Sequence, residues 1–444
     1  MRHCTYKRKN LMNQDNTYID LFSGCGGLSL GLGEAGWSGI FAIEKDPMAY
    51  ESFDKNLVAQ DAPYRHFKKW PQWLSRSSHS VEDILDDPQA LENLQKMRGM
   101  VTLIAGGPPC QGFSVAGARN GSDPRNLLVF KQIKIVEMLR PKFCIIENVE
   151  GFERKFVSRP IDKIDISVAE AALNEIKGLG YSVGKVTINA ADYGVPQIRK
   201  RVILFAMDEE FFGSINAAKI LQAIMLDIGK EQRKEFKLPT TRYVTVGEAI
   251  SDLSGEDIVP DPEFPNYSTC RYLPPKSAYE KLMRRNVSTC ELPSSHRFSK
   301  HSAKAIELYR LAIATQPPGR LSKEFLYQNG CHSNKRFVLD VSKPCSTVTT
   351  APEELIHFSH PRVVTLREMA RIQSFPDDFR FFGRYTLNGP CRGIDVPRNA
   401  QIGNAIPPLV GRAIGLSLAR ILSMQKQGEV LDQYRDPVQM DLFG

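Results

Sequence analysis

Short continuous runs of apolar residues alternate, in the first half of the chain, with stretches whose apolar residues recur at helical spacing. Apolar runs between turn signals are typical of buried strands, and the recurring pattern is typical of helices. The predicted strands are Thr17–Phe22, Gly39–Glu44, Met100–Ala105, Phe143–Val149, Tyr181–Ile188 and Val202–Ala206. The predicted helices between them cover residues 28–35, 129–139 and 167–178. Strands that alternate with helices in this way predict an open α/β sheet.

The pattern changes near Pro260, where the chain becomes polar and rich in proline. One more helix is predicted from Ser299 to Thr315, and Ile414, Leu418 and Ile421 then form an apolar stripe. Pro408 stands just inside the start of this last helix, a position that proline favours. We therefore predict a second, smaller domain, followed by a segment that packs back on the first.

The composition is that of an ordinary soluble globular protein, with 42% hydrophobic and 24% charged residues among 444. That length suits two domains. Neither an apolar signal region nor a run of about 18 apolar residues occurs, which predicts an intracellular protein without a membrane span. Nine cysteines without a CxxC pair indicate reduced thiols rather than a disulfide framework or a structural zinc site.

The net charge of +8 is concentrated in one region. Residues 271–343 hold 14 basic and 5 acidic residues, so the remainder of the chain is close to neutral. Aromatic side chains are interleaved with this basic block: Tyr272, Tyr279, His296, Phe298, Tyr309 and Tyr327. Such a block is typical of a surface that binds a polyanion, although a solvated basic face would have the same composition.

A stretch of candidate chemistry follows the third predicted strand, in Gly106-Gly107-Pro108-Pro109-Cys110-Gln111-Gly112-Phe113-Ser114. The glycines allow a tight turn, and the prolines prevent a helix or a strand from continuing. The stretch therefore predicts a loop that presents the Cys110 thiol at the end of a strand. The alternative is a structural turn with a small buried cysteine.

A glycine-rich turn, Ser23-Gly24-Cys25-Gly26-Gly27, follows the first strand, and Glu44 ends the second. These are the parts of a nucleotide-type cofactor site in which the carboxylate accepts hydrogen bonds from ribose hydroxyls. Ser29 replaces the third glycine of the dinucleotide fingerprint, which favours an adenosyl group without a pyrophosphate. Asp83 can contact the adenine amino group, or it can belong to the start of a surface helix.

Three predicted strands deliver Gly24, Cys110 and Glu147 at corresponding positions. Ligands of open α/β sheets bind at the carboxyl ends of the strands, so these residues are expected to share one crevice. Strand alternation in the segment before Val202 places Gln197, Arg199 and Arg201 on one face. The alternative for that segment is an edge strand with protective charges.

These motifs resemble those of the cytosine-C5 DNA methyltransferase family, prokaryotic type. The resemblance rests on six blocks in the family's order: residues 20–28, 107–114, 147–149, 197–201, 367–377 and 401–408. It covers most of the chain apart from about 210–340 and the two tails. It implies an α/β fold of the S-adenosylmethionine-dependent methyltransferase (Rossmann-like) type, with a mixed sheet and a smaller target-recognition domain.

The resemblance also implies the chemistry, in which a thiolate adds to C6 of a flipped-out cytosine so that C5 can accept a methyl group. The catalytic residues would be Cys110, Glu147, Arg199 and Arg201. The S-adenosylmethionine site would comprise Phe22, Gly24, Gly26, Gly27, Leu28, Glu44, Asp83, Pro108, Leu128, Asn404 and Ala405. DNA contacts are expected from Gln111, Ser114, Arg284, Arg285 and Lys300, and residues 111–119 are expected to form a lid. No metal is expected.

The expected organisation is a flexible leader (1–16), a catalytic domain (17–240), a target-recognition domain (241–395), a return segment (396–424) and a flexible tail (425–444). We expect a monomeric, cytoplasmic enzyme that is bacterial or phage-encoded, associated with the nucleoid, and part of a restriction-modification system or a solitary DNA-methylation system. Three alternatives share parts of the pattern: a tRNA cytosine-C5 methyltransferase, a non-catalytic DNA-binding regulator on the same fold, and a small-molecule methyltransferase.

The chain finishes with Gln439-Met440-Asp441-Leu442-Phe443-Gly444, which places two large apolar side chains after a polar tether. Apolar groups on a tether are a common form of docking peptide. This hexamer resembles the peptide with which bacterial replication proteins bind the sliding clamp. Leu442 and Phe443 would fill the apolar pocket, and Gln439 would make the polar contact. The alternative is a tail that folds back onto the enzyme.

Overall fold

The computed structural model of the protein describes residues 16–109, 127–153, 166–288, 291–331, 335–386 and 395–428. Its main sheet has six strands in the order β2-β1-β3-β4-β6-β5. They are β1 Thr17–Leu21, β2 Ser38–Ile43, β3 Leu103–Gly106, β4 Phe143–Asn148, β5 Tyr181–Asn189 and β6 Lys200–Asp208. All six predicted strands are confirmed. The largest displacement of a strand start is at β3, which begins three residues later than predicted.

The direction of β6 determines where the site lies. Strands β1 to β4 pair in parallel, whereas β6 runs antiparallel to both β4 and β5. Glu147 near the end of β4 is paired with Ile203, and Asn148 with Val202. The residues that precede β6 therefore reach the same edge of the sheet as the carboxyl ends of the parallel strands.

Helices cover both faces of this sheet and form a three-layer structure. One face is packed by α3 Val81–Leu85, α4 Pro88–Lys96, α5 Leu128–Leu139 and α6 Val168–Gly178. The other face is packed by α1 Gly27–Glu34, α8 Ala217–Glu235 and α15 Pro408–Lys426. Two more helices in this half are α2 Pro47–Phe53 and α7 Glu209–Phe212. Helix prediction is confirmed for α1, α5 and α6, and Ser167 caps α6 through Glu170 N.

The chain after α8 forms small elements. The helices are α9 Val246–Ile250, α10 Ala278–Met283, α11 Ala303–Thr315, α12 Lys323–Gln328, α13 Leu366–Ile372 and α14 Arg398–Asn404. The strands are β7 Ile258–Pro260 and β8 Ser268–Cys270, which form a hairpin, and β9 Gly319–Arg320, β10 Phe337–Val338 and β11 Leu355–Ile356, which form a three-stranded sheet. Single turns of 3-10 or π helix occur at Asp54–Val58, Glu150–Glu153, Ala190–Tyr193, Ser251–Leu253 and Pro352–Glu354. The predicted helix at 299–315 is confirmed as α11, capped by Ser302.

The C-terminal helix α15 packs tightly on α1, the first helix of the chain. A Cβ added at Gly31 would lie 2.3 Å from the carbonyl oxygen of Pro408, so only glycine allows this approach. The predicted stripe of Ile414, Leu418 and Ile421 is buried. Residues 398–426 are long and apolar enough to cross a membrane, but 78% of their most apolar window is buried inside the protein. This burial accounts for the apolar composition of α15 as a core helix.

Candidate active site

Backbone and side-chain groups from several strands meet at the carboxyl edge of the sheet. A Cβ added at Gly107, just after β3, would lie 3.3 Å from Oε2 of Glu147. The carbonyl oxygen of Pro108 accepts a hydrogen bond from Nδ2 of Asn148 at 3.3 Å. The ends of β3 and β4 therefore adjoin each other, and Glu147 lies beside Gly107. Cys110, two residues after Pro108 in the sequence, lies outside the described residues.

The glycine-rich turn after β1 is held against the end of β2 by Glu44. Gly24 and Gly26 have φ values of 55° and 95°, which a side chain would strain. The Glu44 carboxylate accepts from Gly24 N at 2.9 Å and from Asp46 N at 2.8 Å. Burial raises the pKa of Glu44 above its ordinary value, and these two backbone hydrogen bonds oppose the rise. The predicted pairing of turn and acidic residue is therefore present.

The turn has features that fit a polar ligand such as S-adenosylmethionine. Ser23 Oγ is buried and has no hydrogen-bond partner within the described ranges. Gly24 faces open space where a Cβ would stand. Each oxygen of Glu44 makes one hydrogen bond to a backbone N–H, so acceptor capacity remains for ribose hydroxyls. Phe22 beside them has a left-handed backbone with φ of 58°.

The other residues assigned to the cofactor differ in what they present. Leu28 is buried in the core, so only its backbone can face a ligand. Pro108 is buried and Leu128 is half-buried, Asn404 is exposed at the end of α14, and Ala405 follows it. Gly26 and Gly27 allow close packing, because a Cβ at Gly27 would lie 2.2 Å from the Ile406 carbonyl oxygen.

Asp83 lies in the first turn of α3, so the prediction of a surface helix is confirmed there. Its backbone N–H donates to Ser80 Oγ at 3.1 Å, and its carboxylate accepts from Ser80 N at 2.7 Å. The same segment is tied to the cofactor turn, because His79 N donates to the Glu44 carbonyl oxygen at 2.9 Å. The side chain of Asp83 is exposed and serves as a helix cap in this structure.

Glu147 and Arg201 form an ion pair at the crevice. Arg201 Nε lies 3.0 Å from Glu147 Oε1, and the side chains are 15% and 13% exposed. Arg201 Nη1 also donates to the Lys200 carbonyl oxygen at 2.7 Å. A planar guanidinium beside a carboxylate offers donors and acceptors in one plane, as needed to contact a flat heteroaromatic ring.

Arg199 lines the same small cavity as Glu147 and Arg201, but its guanidinium is bound by other groups. Its guanidinium is buried and donates to three carbonyl oxygens, at 3.1 Å to Val348, 3.0 Å to Gly403 and 3.2 Å to Ala405. The resemblance implied that Arg199 holds the base, whereas in this structure it clamps the segments around α14. The edge-strand alternative for this stretch is wrong, because β6 lies between β4 and β5.

Gln197 is also buried and connects the same segments. It donates to Gln373 Oε1 at 2.8 Å and accepts from Val348 N at 2.8 Å. Gln373 in turn donates to the Ile402 carbonyl oxygen at 2.8 Å. This clamp was not predicted. The signal for it in the sequence was a glutamine and an arginine at alternate positions directly before an apolar strand.

Of the three predicted basic DNA contacts, Arg284 is wrong because it is buried, whereas Arg285 and Lys300 are exposed and stay predictions. Arg284 is buried, and its guanidinium lies 3.1 Å from Asp252 Oδ2 and 2.7 Å from the Leu273 carbonyl oxygen. Arg285 forms an ion pair with Glu34 on α1. Both arginines therefore join parts of the protein to each other. Lys300 is exposed and lies 4.9 Å from the ring centroid of Tyr267, which leaves its charge accessible.

Several predicted residues lie outside the described residues: Cys110, Gln111, Ser114, Gln439, Leu442 and Phe443. Five cysteines within the described residues are free thiols, as predicted: Cys25, Cys144, Cys270, Cys331 and Cys345. Within the described ranges, no group of three or more histidine, cysteine, aspartate or glutamate side chains is arranged to hold a metal ion.

Comparisons with known proteins agree on one family. A profile described as C-5 cytosine-specific DNA methylase matches residues 16–420. Type II methyltransferase M.DdeI of Desulfomicrobium norvegicum is 33% identical over 409 residues, which cover 89% of this chain and 86% of that protein. Type II methyltransferase M1.HphI of Haemophilus parahaemolyticus is 29% identical over 91% of this chain and 87% of its own length. The structure of an Escherichia coli prophage protein assigned as a DNA modification methyltransferase is similar, with a TM-score of 0.63, 27% identity and coverage of 92% of this chain and 99% of that one.

Proposed function

Because this chain belongs to the C-5 cytosine-specific DNA methylase family and is a DNA (cytosine-5-)-methyltransferase, we propose that Cys110, Glu147 and Arg201 carry its reaction. The observation that supports this most directly is the Glu147–Arg201 ion pair, which lies where β3 delivers the chain toward Cys110. S-adenosylmethionine, when bound, supplies the methyl group on a positively charged sulfur.

The proposed nucleophile is the Cys110 thiolate. C5 of cytosine is a poor nucleophile, so the thiolate adds to C6, and the ring electrons are displaced toward C5 and N3. C5 would then form the new carbon–carbon bond to the methyl group while the bond from that methyl group to the sulfonium sulfur breaks, which leaves a neutral thioether. Loss of the C5 proton to a base and β-elimination of the thiolate restore the aromatic ring and free the enzyme. Because C5 is stacked inside a duplex, the cytosine must first be flipped out.

Glu147 and Arg201 are proposed to bind the flipped ring along its polar edge. Glu147 takes part as the carboxylic acid, whose carbonyl oxygen accepts from the N4 amino group, which cytosine has and thymine lacks. As the thiolate adds, negative charge grows at N3, and the Glu147 hydroxyl donates its proton there and leaves the carboxylate. Arg201 donates to O2 and supplies positive charge that favours the thiolate form of Cys110. These three roles distinguish a cytosine from other bases at the point of reaction.

The proposed S-adenosylmethionine site lies between the glycine turn and α14. Glu44 accepts from the ribose hydroxyls, and Ser23 Oγ gains the hydrogen-bond partner that it lacks within the described ranges. Asn404 and Ala405 approach from the C-terminal segment, whose carbonyl oxygens Arg199 holds. We therefore propose Arg199 as a positioning residue for this site.

Serine substitution and covalent trapping test the reaction. Cys110→Ser removes the thiolate, so methylation of duplex DNA should fall to background, whereas binding of S-adenosylmethionine should remain. Duplex DNA with 5-fluorocytosine at the target should trap the wild-type protein covalently, because the fluorine cannot leave as a cation. Full activity in the serine variant would contradict the assignment. Assays on tRNA beside DNA address the tRNA alternative, and bisulfite sequencing identifies the modified base and its context.

We also propose a cellular setting. The curated relatives are Type II methyltransferases, which supports a restriction-modification partner in the bacterial cytoplasm. We propose that the enzyme acts on duplex DNA as a monomer. The tail is proposed to dock on a sliding clamp through Gln439, Leu442 and Phe443, which would raise the local concentration of the enzyme near newly made DNA. The support for docking is the sequence of the hexamer.

A further inference from the structure

The structure sorts the aromatic side chains of the basic block into buried groups and one exposed ring. Tyr279, Tyr309 and His296 are buried, and Tyr272 and Phe298 are half-buried. Tyr327 on α12 is 73% exposed, more than any other large apolar side chain in the part of the chain that the structure describes. Single exposed apolar side chains are common on protein surfaces, so what distinguishes Tyr327 is its charged surroundings.

Helix α12 places this ring on its outward face. Phe325 and Leu326 are buried in the core of the three-stranded sheet, so their neighbours in the short helix must face outward. Lys323 lies four residues before Tyr327, which places the ammonium and the ring on the same helical face. Both side chains are exposed. The packing of α12 therefore presents an aromatic ring and a cation together.

The surroundings of α12 are basic. Lys304 on α11 approaches Gly330, where an added Cβ would meet its Nζ at 2.4 Å. Arg320 on β9 is exposed, one residue before the segment that leads into α12. Glu324 is the acidic side chain on α12, and it accepts a hydrogen bond from Gln328 at 3.3 Å. Lys304, Arg320 and Lys323 therefore leave the local charge positive.

Hydrogen bonds place α12 at the end of the small sheet that adjoins the active site. The segment that contains α12 leaves β9 and returns to β10 at the same end of the sheet, because Leu321 N donates to the Arg336 carbonyl oxygen at 2.9 Å. Just after α12, Cys331 N donates to the Leu326 carbonyl oxygen at 2.8 Å. Lys335, at this same end, lies 4.0 Å from Glu354.

Glu354 continues this connection toward the active site. It accepts from Thr349 Oγ1 at 2.9 Å. Two residues earlier in the chain, Thr347 Oγ1 donates to the Ile198 carbonyl oxygen at 2.9 Å, next to Arg199. One residue later, the Thr350 carbonyl oxygen accepts from Asn399 on α14 at 2.6 Å. The end of the small sheet that bears α12 is thus tied to both sides of the crevice.

From this placement we infer that Tyr327 contacts a base of the recognition site and determines specificity at that base pair, while Lys323 and Arg320 contact the flanking phosphates. The inference rests on the proposed reaction on duplex DNA. A phenol ring has an apolar face for a thymine methyl or an exposed base, and a hydroxyl for a base edge. A lysine or arginine beside it supplies affinity that does not depend on sequence.

The test compares site preference and binding. Unmethylated genomic DNA is treated with limiting amounts of wild type, Tyr327→Ala, Tyr327→Phe and the control Leu226→Ala, and methylated sites are read by bisulfite sequencing. Leu226 is a matched control because it is an exposed apolar residue on α8. Affinity for a duplex with the site, and for duplexes with single base-pair changes, is measured without S-adenosylmethionine.

Tyr327→Ala should reduce affinity for the cognate duplex about tenfold and relax the preference at one base pair. Its melting temperature should match that of wild type, because the side chain is exposed. Lys323→Ala and Arg320→Ala should each lower the salt-dependence slope by about one unit and keep the preference, whereas Lys177→Ala on α6 should change neither. Unchanged cognate affinity and preference in Tyr327→Ala would overturn the inference. A wild-type protein that binds the duplex but methylates no cytosine would instead overturn the proposed reaction, and the binding comparison would still decide the role of Tyr327.

Discussion

Replacement of Arg199 by alanine separates a positioning role from contact with the base. In the structure the guanidinium donates to the carbonyl oxygens of Val348, Gly403 and Ala405 and is 2% exposed. Alanine removes all three donors and leaves the carbonyl oxygens without them in a largely buried place. We therefore expect Arg199→Ala to destabilise the protein and to loosen the end of α14.

The size of the effect follows from the three bonds. Each lost hydrogen bond to a buried carbonyl costs about 1–2 kcal/mol when water replaces it in part, which gives about 3–6 kcal/mol in total. At about 2.1 cal/mol/K per residue over the 444 residues of the chain, the entropy of unfolding is about 0.93 kcal/mol/K, so Tm should fall by about 3–6 °C. Affinity for S-adenosylmethionine should fall too, since Ala405 belongs to its proposed site.

The matched control is Arg201→Ala, which removes the same side chain two residues away at the crevice. Calorimetry of both variants gives Tm, and isothermal titration without DNA gives the affinity for S-adenosylmethionine. Arg201→Ala should keep both quantities near wild type and lose turnover. If Arg199→Ala likewise keeps its Tm and its affinity and loses only turnover, Arg199 holds the base after all, and the clamp has no energetic importance.

Three further perturbations address other parts of the molecule. Burial raises the pKa of Glu44. As the pH is lowered, affinity for S-adenosylmethionine should therefore begin to fall at a higher pH than it would with a glutamate of ordinary pKa. In the same titration, Glu44→Gln should bind weakly at every pH. Burial raises the pKa of Asp20, which accepts from Ser29 Oγ at 2.6 Å, from 3.8 to about 7. The folded state therefore keeps a proton that the unfolded chain loses between those values, so stability should fall as pH rises through that range. Urea unfolding of Asp20→Asn should lack this slope; a slope equal to that of wild type would assign the effect elsewhere. For the tail, a peptide of residues 434–444 should bind a bacterial clamp, and Leu442→Ala with Phe443→Ala should abolish this binding in fluorescence anisotropy without changing methylation of short duplexes; loss of methylation would show that the tail is part of the enzyme.

Most of the sheet was predictable because β1, β3, β4 and β6 are largely apolar runs that are buried on both faces. β1, with Gly24 after it, and β4, with Glu147 near its end, lie where the pattern placed them. The pairing of Glu44 with Gly24 also followed from local spacing, since the strand, turn, helix and second strand form one unit. What is local in the chain was therefore accessible from the sequence.

The different roles of Arg199 and Arg201 could not be predicted from the sequence, because strand alternation places both on the same face. The difference is that Arg199 donates to the carbonyl oxygens of Val348 and Gly403, which lie 149 and 204 positions later in the chain. The same limit applies to Arg285, whose partner Glu34 is 251 positions away. Counting charges located a basic block but could not show which charges are neutralised by distant acids, or that Tyr327 is its exposed aromatic residue.

The packing of α15 on α1 has a consequence for how the enzyme is made. Trp37 Nε1 donates to the Gly415 carbonyl oxygen at 2.9 Å, and Ser52 Oγ donates to Gln401 Oε1 at 2.6 Å, so the first tens of residues complete their contacts only with the last. At a translation rate of about 5–20 residues per second, a ribosome needs roughly 20–80 s to supply those partners. During that interval the nascent chain has the glycine-rich turn but lacks α14, which forms the other side of the proposed S-adenosylmethionine site. Incomplete and prematurely terminated chains should therefore have no methyltransferase activity, and DNA methylation should begin only when full-length molecules are present.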